Sequence, residues 1–228
     1  MITKLLSAAV KLYLRSQVSR VEDLQVRITG KNRQILKGFI PQVFLYCQKG
    51  IYQGLHLREV EVKGNDIAIK LPEVYKKKPL KLLEPIVVEV KLSLNGDDLY
   101  NSLDSRLLQS GLTDLWQIIL ETENENSIDS NIKWNNIAIG DRELCFSGTY
   151  QDASGKENKL DLSTGVSLSN SHTLCFSPLK INSDLDLAKD SRQKRKKIEI
   201  DLGRDVEIEK LIIESERLLC WGKITVKN

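Results

Sequence analysis

PIVVEVKLSLNGDDLYNSLDSRLL, residues 85–108, changes its period halfway along. From Ile86 to Leu94 every second residue is apolar, the mark of a strand with one buried face. After Asn95-Gly96 the spacing becomes three to four, through Leu99, Leu103 and Leu107, which is one face of a helix. Asn95 is placed to cap that helix, and Asp97 and Asp98 fall in its first turn, where negative charge is favourable. Gly111 is expected to end it, and Leu112, Leu115, Trp116 and Ile119 give a second short stripe, so the central helical segment spans 96–121. Strand and helix joined so tightly must close around something apolar.

Before this stretch, Ile2, Leu6, Ala9, Val10, Tyr13, Leu14 and Val21 form the apolar arc of an amphipathic helix over 1–22, with Lys4, Lys11, Arg15 and Glu22 opposite. Leu24, Val26 and Ile28 then alternate as a strand, and a turn at 30–32 leads into RQILKG and FIPQVFLYCQ, where Pro41 implies an edge or a bulge. In GLHLREVEVKGNDIAIKL the apolar phase moves from Leu55 and Leu57 to Val60 and Val62, which predicts a bulge, and Asn65-Asp66 predicts a turn. A similar shift separates Val206 and Ile208 from Leu211 and Ile213. Beyond the central helices, 123–131 reads as a polar loop and the rest as strands. NRQILKGFI, DRELCFSGTY and ERLLCWGKI echo one another, either as three ordinary hairpins or as places where Gly38, Gly148 and Gly222 let a curved sheet bend. Helices at the start and middle with strands elsewhere make an α+β chain, and no composition break divides residues 1–228 into more than one domain.

At 228 residues the chain can bury a substantial core, and its 41% hydrophobic and 29% charged content is that of an ordinary soluble protein. A net charge of +3 does not argue for nucleic acid, and no aromatics interleave with the basic runs to make a stacking platform. Cys47, Cys145, Cys175 and Cys220 lie far apart inside apolar or alternating stretches, where a reduced thiol behaves as a small hydrophobe. The apolar run at the N-terminus is too short for a signal peptide or a membrane span, which implies a cytoplasmic protein, with peripheral membrane association open. His56 and His172 have no partners at ligand spacing, and no phosphate loop or nucleophile motif occurs, so neither metal, cofactor nor catalytic residue is expected. Asp97 and Asp98 are explained by the helix dipole. Two basic clusters stand out, YKKKPLK (75–81) and SRQKRKK (191–197). Each is either a solvated loop or a contact for anionic lipid headgroups or phosphate.

YQGLHLREVEV, KPLKLLEPIVVEVKLSLNGDDLYNSLDSRLLQSGLTD and VEIEKLIIESERLLCWGKITV together resemble the LmeA-like phospholipid-binding family, in a form similar to that of photosynthetic bacteria. The resemblance runs from about residue 3 to 226, and S-x-N-G-D-D-L-x-x-S-L-x-S-x-L-L-x-x-G-L is its most specific part. It implies a tubular lipid-binding (TULIP-like) fold, a long curved antiparallel sheet wrapped around helices with lipid between them. On that reading Leu99, Leu103, Leu107, Trp116 and Ile119 line the groove. Lys76, Lys77, Lys78, Arg192, Lys194, Arg195, Lys196 and Lys197 would meet phospholipid headgroups or an anionic membrane surface. The function implied is non-enzymatic binding of phospholipid or another acyl lipid. The alternative is a scaffold with a filled core whose basic loops contact a protein partner. Members of the family that are exported act outside the cell, and that role is not carried over to this chain.

Overall fold

The structure, a computed structural model, describes residues 2–70, 81–123, 128–152, 155–183, 197–214 and 216–227. It is an α+β chain of mostly antiparallel strands with few helices, and both of its sheets are open. Its residues separate into two compact units, one of 1–93, 203–210 and 219–228, the other of 94–202 and 211–218.

The first unit begins with α1 (Ile2–Gln17), which is shorter than the predicted 1–22. Val18 to Arg20 leave the helix because they pair with Tyr52 and Ile51 as a short strand, β1. Leu6 is buried and Val10 packs with it against β2 (Asp23–Thr29) and its neighbours, so α1 is part of the core. RQILKG, expected to be extended, instead supplies a helical turn, α2 (Asn32–Leu36). The Gln34 side chain accepts a hydrogen bond from the Lys31 N–H at 3.1 Å, and Ile35 is completely buried. A local cap and one buried anchor thus overrode the strand pattern. β3 (Phe39–Tyr52) and β4 (Leu55–Ala68) form a long hairpin. Its two-residue loop, Gln53 (φ 49°) and Gly54 (φ 85°), has the positive dihedrals of a type I′ turn.

The predicted bulge between Leu57 and Val60 is absent. The β3–β4 register runs unshifted from Phe39↔Ala68 to Tyr52↔Leu55, and the disturbance lies across the hairpin at Lys49 (φ 47°). Asn65-Asp66 is likewise no turn, since β4 continues through it with Asp66 at φ 53°. Pro41 sits beyond Thr29↔Gln42, the last β2 pair, so the missing N–H costs no bond on that side. β5 (Ile86–Asn95), β12 (Arg217–Val226) and β11 (Val206–Glu214) complete the sheet, in the order β1-β3-β4-β5-β12-β11 with β2 also beside β3.

The second unit starts at the period change. Asn95 caps α3 (Gly96–Asn101): its side chain accepts from the Asp98 N–H while the Asp98 carboxylate accepts from the Asn95 N–H, both at 2.9 Å. The helical segment breaks at 102–105 and not at Gly111. Ser102 Oγ donates to the Asp98 carbonyl at 2.6 Å, and Ser105 Oγ accepts from the Leu108 N–H at the start of α4 (Arg106–Glu123). Gly111 lies inside α4 with open space around it. β6 (Ile128–Ile139) takes in residues 128–131, which had read as loop. With β7 (Glu143–Asp152), β8 (Glu157–Asn170), β9 (Thr173–Ser183) and β10 (Ile198–Asp201) it forms a meander in the order β10-β9-β8-β7-β6. Leu112, Leu115, Trp116, Ile119 and Leu120 of α4 pack into one cluster with Ile137, Phe146, Leu160 and Leu162 of that sheet.

Candidate functional site

Antiparallel pairing puts directly opposed residues on the same face of a sheet, and in the first unit this sorts the side chains cleanly. Leu24, Val26 and Ile28 of β2 oppose Cys47, Leu45 and Val43 of β3; these continue to Val60, Val62 and Gly64 of β4, and on to Leu92, Val90 and Val88 of β5. That face is apolar across four strands. The opposite face carries the polar residues, with Lys63–Glu89 and Lys91–Glu61 ion pairs at 3.6 Å and the Tyr46 hydroxyl donating to Glu59 at 3.4 Å. Burial, with Glu59 beside it, pushes the Tyr46 phenol above its ordinary range. A slip of one residue would exchange the two faces, so these pairs hold the register that keeps one side apolar.

Only part of the apolar face is closed. Leu6, Ile28, Ile35, Ile40, Ile67 and Ile69 form a buried cluster with Val10, Val26 and Val43 against it, where α1 and α2 cover the sheet. Leu45, Val60, Val62, Val90 and Leu92 stay half-buried and stand outside that cluster. At the edge of β2, between that strand and α1, is a notch of about 340 Å³, and Arg27 and Phe44, which pair with each other on the polar face, are among its lining. Lys11, Arg27 and Ser7 supply its polar lining with Gln25, while Val26 and Phe44 are its apolar wall. The Arg27 guanidinium lies over the Phe44 ring, 5.9 Å from its centroid. Among the described residues no carboxylate lines the notch, and neither cation is engaged in an ion pair. Two cations and a hydroxyl at the β2 edge, with the half-buried apolar face on the other side of that strand, suit an amphiphile whose anionic head sits at the edge.

The residues expected to line a groove are placed differently. Leu99, Trp116 and Ile119 come together in the core of the second unit, with Trp116 fully buried, and Leu103 packs against them. Among the described residues the Trp116 indole N–H has no acceptor. Leu107 is left out, 49% exposed. Lys76, Lys77, Lys78, Arg192, Lys194, Arg195 and Lys196 lie outside the described residues. Lys197 is exposed and paired with Glu199 at 2.6 Å, and Ser169 also donates to that carboxylate. The Lys197 hydrogen bond is the main reason that the Glu199 carboxyl is held below its ordinary range. Lys11 and Arg27 at the notch and Val62 and Val90 on the half-buried face were not singled out in the sequence as candidates. Their signal was present, since Lys11 interrupts an apolar run and Arg27 alternates with Val26 and Ile28, but only the fold brings them side by side.

All four cysteines are free, and burial pushes the Cys47, Cys145 and Cys220 thiols upward, away from the thiolate a nucleophile needs. Among the described residues no three potential ligands gather as a metal site, and no helix is long and apolar enough to cross a membrane. A family model described as LmeA-like phospholipid-binding matches residues 1–222. No curated protein and no solved structure matches the chain.

Proposed function

The chain belongs to the LmeA-like phospholipid-binding family, and from that premise we propose that its first unit binds a phospholipid without acting on it chemically. The acyl portion lies along Leu45, Val60, Val62, Val90 and Leu92, and the phosphate enters the notch at Lys11 and Arg27. The observation that carries this reading is a half-buried apolar face ending at the β2 edge, where a notch holds only positive charges among the described residues. Each buried CH₂ contributes about 0.8 kcal/mol, enough for one or two acyl chains to hold a lipid without a covalent step. The reading needs no sheet wrapped around helices, only lipid against an apolar sheet face flanked by a helix. Leu99, Trp116 and Ile119 act as closed core, and Leu107 takes no part.

The basic runs at 75–81 and 191–197 are proposed to bring the protein to anionic membranes as a peripheral, cytoplasmic-side visitor, through attraction that salt weakens. The test is incubation of the full chain with phosphatidylglycerol vesicles, re-isolation by gel filtration and assay of organic phosphorus in the protein peak. Stoichiometric phosphorus is expected, reduced in the double variant Lys11→Glu, Arg27→Glu. A phosphorus-free peak from folded protein would overturn the proposal.

A further inference from the structure

The second unit has a concavity of opposite character. It is a groove of about 610 Å³, inside the roughly 300–1,000 Å³ range of small-molecule sites. Two aromatic residues line it, Trp134 of β6, half-buried, and Tyr150 of β7, buried. The Trp134 ring is fixed edge-on against Phe146, with centroids 5.9 Å apart and planes at 65°. The sheet makes room for it. Gly148 pairs with Trp134, and a Cβ there would come 2.8 Å from Ile132 and 3.3 Å from the indole. β6 also shifts register between Trp134 and Asn136.

Around these rings the lining is rich in hydrogen-bonding groups. Gln109 and Thr113 come from successive turns of α4, on the side of the rings, whereas Thr149 and Gln151 alternate with Tyr150 along β7 and border the groove from the other face of the sheet. Thr113 donates to the Gln109 carbonyl at 2.8 Å, which leaves its oxygen lone pairs to accept. On the helix side of the rings the charged residue is the Asp104 carboxylate, while Lys133 and Glu157 border the groove from the other face of the sheet. This balance disfavours phosphate or another anion. An acyl chain fits no better, because Ile132 is the one aliphatic residue among the described residues of the lining and the polar groups would lose their water without replacement.

A neutral, polyhydroxylated ring meets the lining as it stands. Its C–H face covers the indole while its hydroxyls exchange hydrogen bonds with amides, hydroxyls and carboxylates, each of which accepts or donates in turn. We propose that this groove binds a sugar ring, either free or as the headgroup of a glycolipid. The proposal concerns the second unit and does not rest on phospholipid binding by the first.

The test is tryptophan fluorescence of the full chain titrated with methyl glucoside, with maltose, and with phosphatidylcholine vesicles that carry or lack a monoglucosyl diacylglycerol. A saturable response is expected. It should weaken at least tenfold in Trp134→Ala and roughly fivefold in Gln109→Ala, the loss of one hydrogen bond. Gln109 is exposed on α4, so the second variant keeps the test valid if the first misfolds. A response to the free sugars identifies a soluble ligand, and one confined to the glycolipid vesicles identifies a headgroup. No saturable response to any of these probes, or unchanged affinity in folded Gln109→Ala and Trp134→Ala, would overturn the proposal. So would tighter binding of inorganic phosphate than of either sugar.

Discussion

Both units of this chain use alternating strands beneath an amphipathic helix, yet they complete the pattern differently. In the second, the stripe of α4 meets the meander along its length, and Leu115, Trp116, Ile119, Leu160 and Leu162 are each at most 2% exposed. In the first, α1 packs beside β1 and β2 at one edge of the sheet, and the apolar face continues past it as half-buried valines and leucines. Patterning decides which face is apolar. What covers that face depends on where the helix lies.

The contrast is broken most easily by truncation. Trp116→Ala should destabilise the protein by about 3–5 kcal/mol in urea unfolding, and Val62→Ala by about 1 kcal/mol, since only a half-buried side chain shrinks. Equal losses would mean that the two faces are equally closed. A charge on the open face sharpens the comparison. Val62→Asp or Val90→Asp should keep the far-ultraviolet circular dichroism and lower phospholipid capture more than tenfold, whereas a loss of fold would show that this face is core.

A smaller effect is expected at the notch. Lys11→Glu with Arg27→Glu should weaken capture from phosphatidylglycerol vesicles about tenfold at low salt and less at high salt, measured by co-sedimentation. On the closed side, Asn95→Ala removes the α3 cap and should cost about 1 kcal/mol of stability without changing lipid capture. The smallest effect concerns Glu199. Its carboxyl is held below the ordinary 4.5 by Lys197 and Ser169, so its contribution to stability is present above pH 4.5 and is lost as pH falls through the lowered value. Glu199→Gln should flatten that part of the pH–stability curve by slightly lowering stability at neutral pH, with little change below the lowered value.

Local chemistry was legible in the sequence where it is decided locally. The Asn95 cap, the Asp98 that answers it, the alternation of β2 to β5 and the burial of Leu6 and Val10 on α1 all follow from residue type and spacing. Gly111 misled because a glycine inside a helix costs only about 1 kcal/mol, and the serines at 102 and 105 offered side-chain bonds that broke the helix earlier. α2 was hidden because one buried isoleucine and a glutamine cap suffice for a single turn. The site itself was illegible for a different reason. A closed core and an open apolar face require the same alternation, so Leu99, Trp116 and Ile119 read no differently from Val60, Val62 and Val90. Lys11 and Arg27 lie sixteen residues apart, and only the packing of α1 beside β2 joins them.

The most direct measurement is photo-crosslinking with a phospholipid that carries a diazirine near the middle of its acyl chain, followed by mapping of the labelled peptides. Label on residues 43–47, 60–62 and 88–92 is predicted. Label concentrated on 112–120, with the β3–β5 peptides bare, would contradict the assignment of the lipid to the first unit and return it to the helix-lined core.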